Sequence, residues 1–550
     1  MVLILVILLS TYYFLDSKVN NVKLQSNKES GLYYESLNLI IDCDDSLNNK
    51  FDIRYTTDCS EPVYNSPIYL GNLLIHELPN LSNLSFIKTT APDSITKFPE
   101  KWIPPSGNQA NATVIKYAAF INDKISSKVY TKTFFKKDSI NIIDYQIPVI
   151  SISTDVRNLF SQNIGLFVSG NKFEIDDKHS GNFFERGKEF ERKVFFQYFD
   201  KNMNLEFETY LGMRIHGGVS RRFPQKSLKF YKRKEYNSTK INLPYLSEKR
   251  VKRFILEGMQ ESGGGRALIE DIVGQNIIRD LNFEQQSSNP VIVFINGEYW
   301  GLYTLRDRLD EHYLSYKFNL HRDSFLIVDG HARRNFQAIH GDNSEFIDLL
   351  NFIDNNDLSV SENYSYVVNK IDLDNFIDYF SVQIFFANLD WPVHNIKFWK
   401  KRKNGKWRIF MYDIDGGFRH KSPRDTEEDY LKDMFTYLLN NNDCKLCKNP
   451  PRATLLFRSL SKNIHFRNQF ESRYKYIIDN FMDTKKTLAI VDSISLVYDP
   501  YIAEHINRWG FPKSKQYWED QIDSHLNHFL INREKATLEN LHNYLMKYDN

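Results

Sequence analysis

Cysteine is scarce in this chain, with four residues in 550, at Cys43, Cys59, Cys444 and Cys447. So few exclude a scaffold built on disulfides. Cys444-Lys-Leu-Cys447 has the spacing of half a zinc site, but a structural zinc takes four ligands and only His465 follows nearby, so zinc is not expected. An excess of charge of one sign is missing as well: 71 Lys plus Arg face 69 Asp plus Glu, a formal charge of +2. Bulk electrostatics therefore give no case for a nucleic-acid partner, and any basic patch must be local. Internal repeats and long low-complexity segments are also lacking.

What is there fits a multi-domain globular protein. Apolar residues make up 42% of the chain and aromatic residues 15%, enough to bury more than one core. The opening "MVLILVILLSTYYFLDS" (1–17) has the length of a signal-peptide core and is short for a bilayer span, so a signal peptide or short anchor is expected, with a secreted, surface or lumenal destination. No Lys or Arg precedes the run, and no clear cleavage site follows it.

Residues 28–137 read as short β-runs ("LNLIIDC", "FDIRYTTD", "TVIKYAAFI", "KVYTKTFF") separated by polar turn clusters, the pattern of a small β-sandwich. Residues 148–310 are again strand-rich, with "INGEYWG" as a hairpin turning at Asn296-Gly297 and one helical interruption in "RALIEDIVGQNIIRDL". From 311 to 550 the pattern is mostly helical. A strand-rich lobe followed by a helix-rich lobe predicts a multi-domain α+β chain with a cleft between the lobes.

The β exception in the helical part carries the chemistry. "NLDWPVHNIKFWKKRKNGKWRIFMYDIDGGF" (388–418) predicts a hairpin, with Asn404-Gly405 as a type I′ turn. Its two feet then bring Asp390 and Asn395 close to Asp413 and Asp415. Oxygen donors gathered this way repel one another unless a hard cation sits among them. A calcium-loop reading of "DIDGGFRHKSPR" fails, because its twelfth position is Arg424 where a bidentate Glu is needed. Phosphoryl transfer fits better: Asp-x-x-x-x-Asn, a hairpin, then a metal-binding Asp is the order used on a kinase catalytic loop. Asp390 would orient or deprotonate the attacking hydroxyl, and Asn395, Asp413 and Asp415 would hold Mg²⁺ or Mn²⁺ on the ATP phosphates.

Upstream, "RIHGGVSRRFPQKSLKFYKR" offers Gly217-Gly218 for close backbone approach and Arg221, Arg222, Lys226 and Lys229 as phosphate-binding cations. Lys226 and Lys229 cannot share a face of a regular strand, and Lys226 is the one favoured here. Glu270 or Asp271, in "RALIEDIVG", would be the acidic partner on the adjoining helix. Trp407 is a candidate cover for the nucleobase, against the plainer alternative of a core residue.

"GMRIHGGVSRRFPQKSLKFY", "FINGEYWGLYTLRDRLDEHYL", "NLDWPVHNIKFW" and "KWRIFMYDIDGGF" together resemble the spore-coat protein H (CotH) kinase family. The resemblance implies an atypical kinase-like two-lobed fold and a secreted enzyme using ATP with Mg²⁺ or Mn²⁺ on protein Ser or Thr, itself included. By motif position it implies Asp390 as catalytic Asp, Asp413 as metal ligand and Trp407 as adenine wall. The front domain, through "IRYTTDCSEPVYNSPIY", resembles the β-sandwich appendage of chitobiase-type glycosidases, which would make a surface or carbohydrate contact. There Cys59 replaces the usual turn Gly, and a disulfide to Cys43 is expected. Two rival readings stand beside the kinase: a surface adhesin or pseudokinase, and a kinase-fold enzyme that transfers AMP or glutamate.

Overall fold

The computed structural model describes residues 22–43, 51–75, 83–92, 101–107, 109–136, 145–244, 246, 251–259, 267–418, 428–441 and 447–548. The expected leader (1–17) and Cys444 lie outside them. Among the described residues no helix is long and apolar enough to cross a membrane.

The front of the chain forms the strands its alternating pattern predicts. Asp52–Thr56, Ala112–Ile121 and Tyr130–Lys136 pair antiparallel, Gly31–Tyr33 adds a parallel edge, and the small Lys124–Ile125 strand completes a five-stranded sheet. Leu39, Ile53, Ile115, Tyr117 and Phe134 fill its core. Cys59 does take up the left-handed backbone of the glycine it replaces (φ 64°). The expected disulfide is not formed. Cys43 and Cys59 are both free thiols, and burial pushes the Cys59 thiol up to about 12, so this sulfur packs as a small apolar group.

The second strand-rich region closes on itself. Strands β1 (Val149–Ser153), β2 (Arg192–Phe199), β3 (Leu205–Ile215), β4 (Leu228–Tyr231), β5 (Arg253–Gly258), β7 (Asn289–Ile295) and β8 (Glu298–Asp307) make a seven-stranded barrel in the order β1-β2-β3-β4-β5-β8-β7. Period-two alternation explains the closure. Ile150, Ile152, Phe196, Leu211, Met213, Leu228, Phe230, Leu256, Val293 and Leu305 point inward as one core, and their sequence neighbours point out. Asn296 (φ 50°) and Gly297 (φ 86°) make the expected β7–β8 turn, onto which the front domain docks through Ala112 N donating to Gly297 O at 2.7 Å.

Helix α1 (Glu270–Ile277) lies within the predicted helical stretch. A second five-stranded sheet, in the order β6-β12-β11-β9-β10, joins β6 (Glu284–Gln285), β9 (Phe325–Asp329), β10 (Ala338–His340), β11 (Lys397–Lys401) and β12 (Arg408–Met411). The β11–β12 hairpin exists, with Phe398 opposite Ile409, but its turn is not type I′. Asn404 alone has positive φ (53°), Gly405 does not, and the strands splay into a loop over 402–407. Helix α2 (Leu373–Phe385) packs against this sheet, and the long helices α3 (Thr484–Trp509) and α4 (His528–Met546) follow. Helix α3 returns to the barrel, where Trp509 Nε1 donates to Trp300 O at 2.8 Å. Helical tail and barrel are therefore one packed unit.

Candidate active site

Each foot of the hairpin is placed by a different core contact. After β12 the chain turns at Asp413 (φ 56°), and Ile414 N donates to Asp271 Oδ1 of α1 at 2.7 Å. Ile414 seats on Gly274, where any added Cβ would lie 2.5 Å from Ile414 Cδ1. The two glycines of "DIDGG" then allow two loops to touch. A Cβ on Gly416 would meet Asn388 Oδ1 at 2.3 Å and Asp390 Cβ at 2.8 Å, and one on Gly417 would meet Phe386 O at 2.5 Å. Leu389 N donates to Gly416 O at 3.3 Å across this contact.

The Asp390 loop is held by buried neighbours. Trp391 is fully buried against Tyr379 and Phe380 of α2, with ring centroids 5.9 and 5.7 Å away. Asn388, also fully buried, donates to Gln383 Oε1 at 2.9 Å and accepts from Asp390 N at 3.0 Å. The Asp390 carboxylate itself stays partly open. It accepts from Asn395 Nδ2 at 3.1 Å and from Lys448 Nζ at 2.8 Å. Asn395 (φ 56°) is thus held on Asp390.

Four carboxylates converge beside the hairpin foot: Asp413, Asp415, Glu257 of β5 and Asp271 of α1. Burial first, then the nearby charges of Asp415, Glu257 and Asp271, drive the Asp413 carboxyl well above the usual range, and it shares a hydrogen bond with Asp415. Glu257 is pushed up to about 6 by burial, against the pull of Arg306. Arg306 of β8 sits between Glu257 and Asp271 and pairs with both. Asp271 is therefore the site-facing acid of α1, and its partner is an arginine where a lysine was expected. Glu270 turns the other way. It accepts from Ala267 N at 2.7 Å and faces His525 Nε2 at 3.8 Å.

Facing the carboxylates is a group of cations. Lys229 points outward from β4, directly across from Arg214 on β3, and burial together with Arg308, Arg221, Arg186 and Arg214 holds its ammonium down at about 7. Among the described residues no hydrogen bond or ion pair reaches it. Lys397, the first residue of β11, is lowered to about 8 by burial and Arg308, against the pull of Asp329, Asp310 and Asp413, and lies 4.3 Å over the Tyr412 ring. His216, buried among Lys229, Arg308, Lys397 and Arg221, is held well below its usual range by burial.

Several expected nucleotide contacts fall elsewhere. Lys226 is 1% exposed, donates to Arg221 O at 2.6 Å and lies 3.9 Å over the Phe183 ring, so the lysine favoured from the sequence is inside and Lys229 is the one at the cleft. Lys226 has the parity of Leu228 and Phe230, which point into the barrel, whereas Lys229 has the opposite parity and points out. Arg221 is equally buried. Its guanidinium donates to the carbonyls of Phe183, Glu185, Ile215 and Gly217, and burial lowers it to about 10, so it fastens the Gly217-Gly218 loop. Arg222 is half-buried on the same turn. Trp407 is 2% exposed at the far end of β12 from Asp413, edge-on to Phe346 at 4.9 Å; it is a core residue, with no face for adenine. Arg306, Glu257, Lys397, Arg308 and Lys448 were not foreseen, although Arg306 and Arg308 stand in "FINGEYWGLYTLRDRLDEHYL" and Lys397 in "NLDWPVHNIKFW".

Among the described residues no three His, Cys, Asp or Glu side chains are arranged to hold a metal between them. The pair Asp413 and Asp415 still suits a divalent ion. Mg²⁺ in nucleotide sites takes one or two carboxylates and completes its shell with phosphates and water. Two hydrogen-bonded carboxylates, one of them shifted upward by burial and its acidic neighbours, are a donor set that such an ion satisfies.

Strand-built lobe, helical lobe, and a cleft with cations on one wall and carboxylates on the other define a kinase-like α+β protein. A family model described as CotH kinase protein matches residues 213–537, more than half of the sequence, and the chain belongs to that family. A second model, described as Fn3 associated, matches residues 44–134 of the front domain. No curated protein matches. Among solved structures, a Helicobacter pylori proinflammatory kinase CtkA matches at 12% identity over 57% of this chain and 94% of its own, with a TM-score of 0.24, too low to carry residue roles across.

Proposed function

We propose that this protein transfers the γ-phosphoryl group of ATP to Ser or Thr hydroxyls of proteins, itself included, with Mg²⁺ or Mn²⁺. Support comes foremost from one juxtaposition: Lys229 and Lys397, whose ammonium groups no salt bridge reaches among the described residues, stand on the wall facing Asp413, which is close enough to pull on Lys397 and is itself crowded by Asp415, Glu257 and Asp271. A metal-bound polyphosphate satisfies both walls at once. Asp413 and Asp415 would hold the metal, whose chemistry is to offset charge on the phosphates during transfer.

This chain's own residues supply the rest. Lys229, Lys397 and Arg308 orient the phosphates. Asp390, steadied by Asn395, accepts the proton of the attacking hydroxyl as its oxygen bonds to phosphorus and the bridging oxygen leaves with ADP. Arg306 between Glu257 and Asp271 fixes helix α1, and through Ile414 N the Asp413 turn, in register with the barrel. In this proposal the chain is exported by residues 1–17, residues 28–137 form a separate spacer that meets a surface or carbohydrate, and 148–310 and 311–550 are the two lobes.

The test is the intact mass of the chain lacking residues 1–17 after incubation with ATP, Mg²⁺ or Mn²⁺, and glutamate. Phosphoryl additions in the wild type and none in Asp413→Ala support the reading. AMP or glutamyl additions replace it with a different transfer at the same site. No addition, to itself or to any offered protein, leaves the binding-protein reading in its place.

A further inference from the structure

We infer that Lys448, which no sequence motif marks, is a catalytic residue of this site, clamping Asp390 and stabilising the phosphoryl group in flight; the inference rests on the phosphotransfer reading above. Lys448 lies 58 residues beyond Asp390 in sequence, yet its ammonium donates to Asp390 Oδ1 at 2.8 Å. That is its one hydrogen bond among the described residues. An ammonium has three donors, so two remain. The pair is open to the cleft, with side chains 39% and 37% exposed, and so is placed where an acceptor hydroxyl and a terminal phosphate must meet.

The backbone around Lys448 is built to hold it there. Val393 N, in the Asp390 loop, donates to Lys448 O at 2.9 Å, which ties the two segments directly. The next residue, Asn449, is buried and donates to Tyr437 O at 2.7 Å, while Tyr437 OH donates to Trp391 O at 2.8 Å, closing a ring back to the same loop. On the other side Arg333 donates to Cys447 O at 2.7 Å. Helix Pro451–Leu460 starts two residues after Asn449, so Lys448 stands on a fixed stub. Surface ion pairs seldom justify so much support.

The chemistry follows from Asp390's two occupied oxygens. Asn395 takes Oδ2 and Lys448 takes Oδ1, which fixes the carboxylate plane while leaving lone pairs for the acceptor hydroxyl. As the hydroxyl oxygen bonds to the γ-phosphorus and its proton passes to Asp390, the P–O bond to the β-phosphate breaks and its electron pair leaves on ADP. Negative charge then spreads over the equatorial phosphoryl oxygens, within reach of the two unused Lys448 donors. The ammonium stabilises that charge more than it stabilises bound ATP.

The experiment compares wild type, Lys448→Met and Lys448→Arg for single-turnover autophosphorylation, ATP affinity, and affinity for ADP with Mg²⁺ and aluminium fluoride, a mimic of the transferring phosphoryl. Lys448→Met should lower the rate about a hundredfold and weaken the mimic by a similar factor while ATP affinity holds; Lys448→Arg should recover part of both. Melting temperatures within a few degrees of each other show that each variant folds. Wild-type turnover with an unchanged or faster Lys448→Met rate overturns the inference, the faster rate making the pair an inhibitory clasp. Loss of ATP affinity in step with rate also overturns it, because Lys448 would then be an ordinary binding residue. A wild type that transfers nothing removes the phosphotransfer reading and this inference together.

Discussion

Nucleotide binding should draw protons onto the cationic wall, and Lys229 sets how many. In the unliganded protein its ammonium is held at about 7 by burial and four guanidinium groups. A polyphosphate reverses that sign of interaction and restores the charged form. At pH 8 the apo lysine is about nine-tenths neutral, so binding takes up about nine-tenths of a proton there; Lys397, at about 8, adds about half. At pH 6 both are already charged and uptake falls towards zero. Below that range affinity is at its full value, and it declines as pH rises through 7 and 8.

Titration calorimetry with ATP in chelator, repeated in buffers of different ionisation enthalpy, counts these protons. Leaving out metal keeps the Asp413 carboxyl out of the balance. The nucleotide's own phosphates, with a second pKa near 6, are ionised at pH 8. Lys229→Met should lose most of the uptake and weaken binding about tenfold to a hundredfold, the worth of a charge-assisted hydrogen bond. Equal uptake in Lys229→Met and wild type, with nucleotide bound to both, would refute this placement of the phosphates.

Other outcomes follow from the same geometry. Arg306→Leu leaves the largely buried Asp271 without its counter-charge and should cost about 3 kcal/mol or more in denaturant unfolding, whereas a neutral result would mean that water reaches Asp271 as it does Glu257. Gly416→Ala must push Asn388 and Asp390 apart, and should cut phosphoryl transfer about tenfold or more while nucleotide still binds, read by steady-state kinetics and calorimetry. Trp407→Ala should destabilise the chain by about 3–5 kcal/mol with nucleotide affinity intact. Weakened nucleotide binding in a folded Trp407→Ala would restore the adenine-wall role.

Much of the fold was legible because it rests on local signals. Alternation in "RKVFFQYFD" and "VIVFINGEYWGLYTLRD" specifies strands with one buried face, and Asn296-Gly297 has the backbone a tight turn needs. Barrel closure was not legible, since it depends on β1 pairing with β7, more than a hundred residues away. The acidic foot could be read because Asp390, Asp413 and Asp415 flank one hairpin. The cationic wall was misread at Lys226: alternation separates it from Lys229, but which of the two faces lies inside is set by closure of the barrel, which buries Leu228 and Phe230 and Lys226 with them. Arg306 and Lys448 were invisible for a simpler reason: each acquires its role from a partner brought in by tertiary packing, Asp271 in one case and Asp390 in the other.

The central claim is that one metal-bound nucleotide spans both walls of the cleft. A crystal structure with a non-hydrolysable ATP analogue and Mn²⁺, located by its anomalous signal, tests this most directly. The account predicts Mn²⁺ on Asp413 and Asp415, with the phosphates against Lys229 and Lys397 and the terminal phosphate beside Asp390. Nucleotide bound away from Lys229, or manganese away from Asp413, would contradict it.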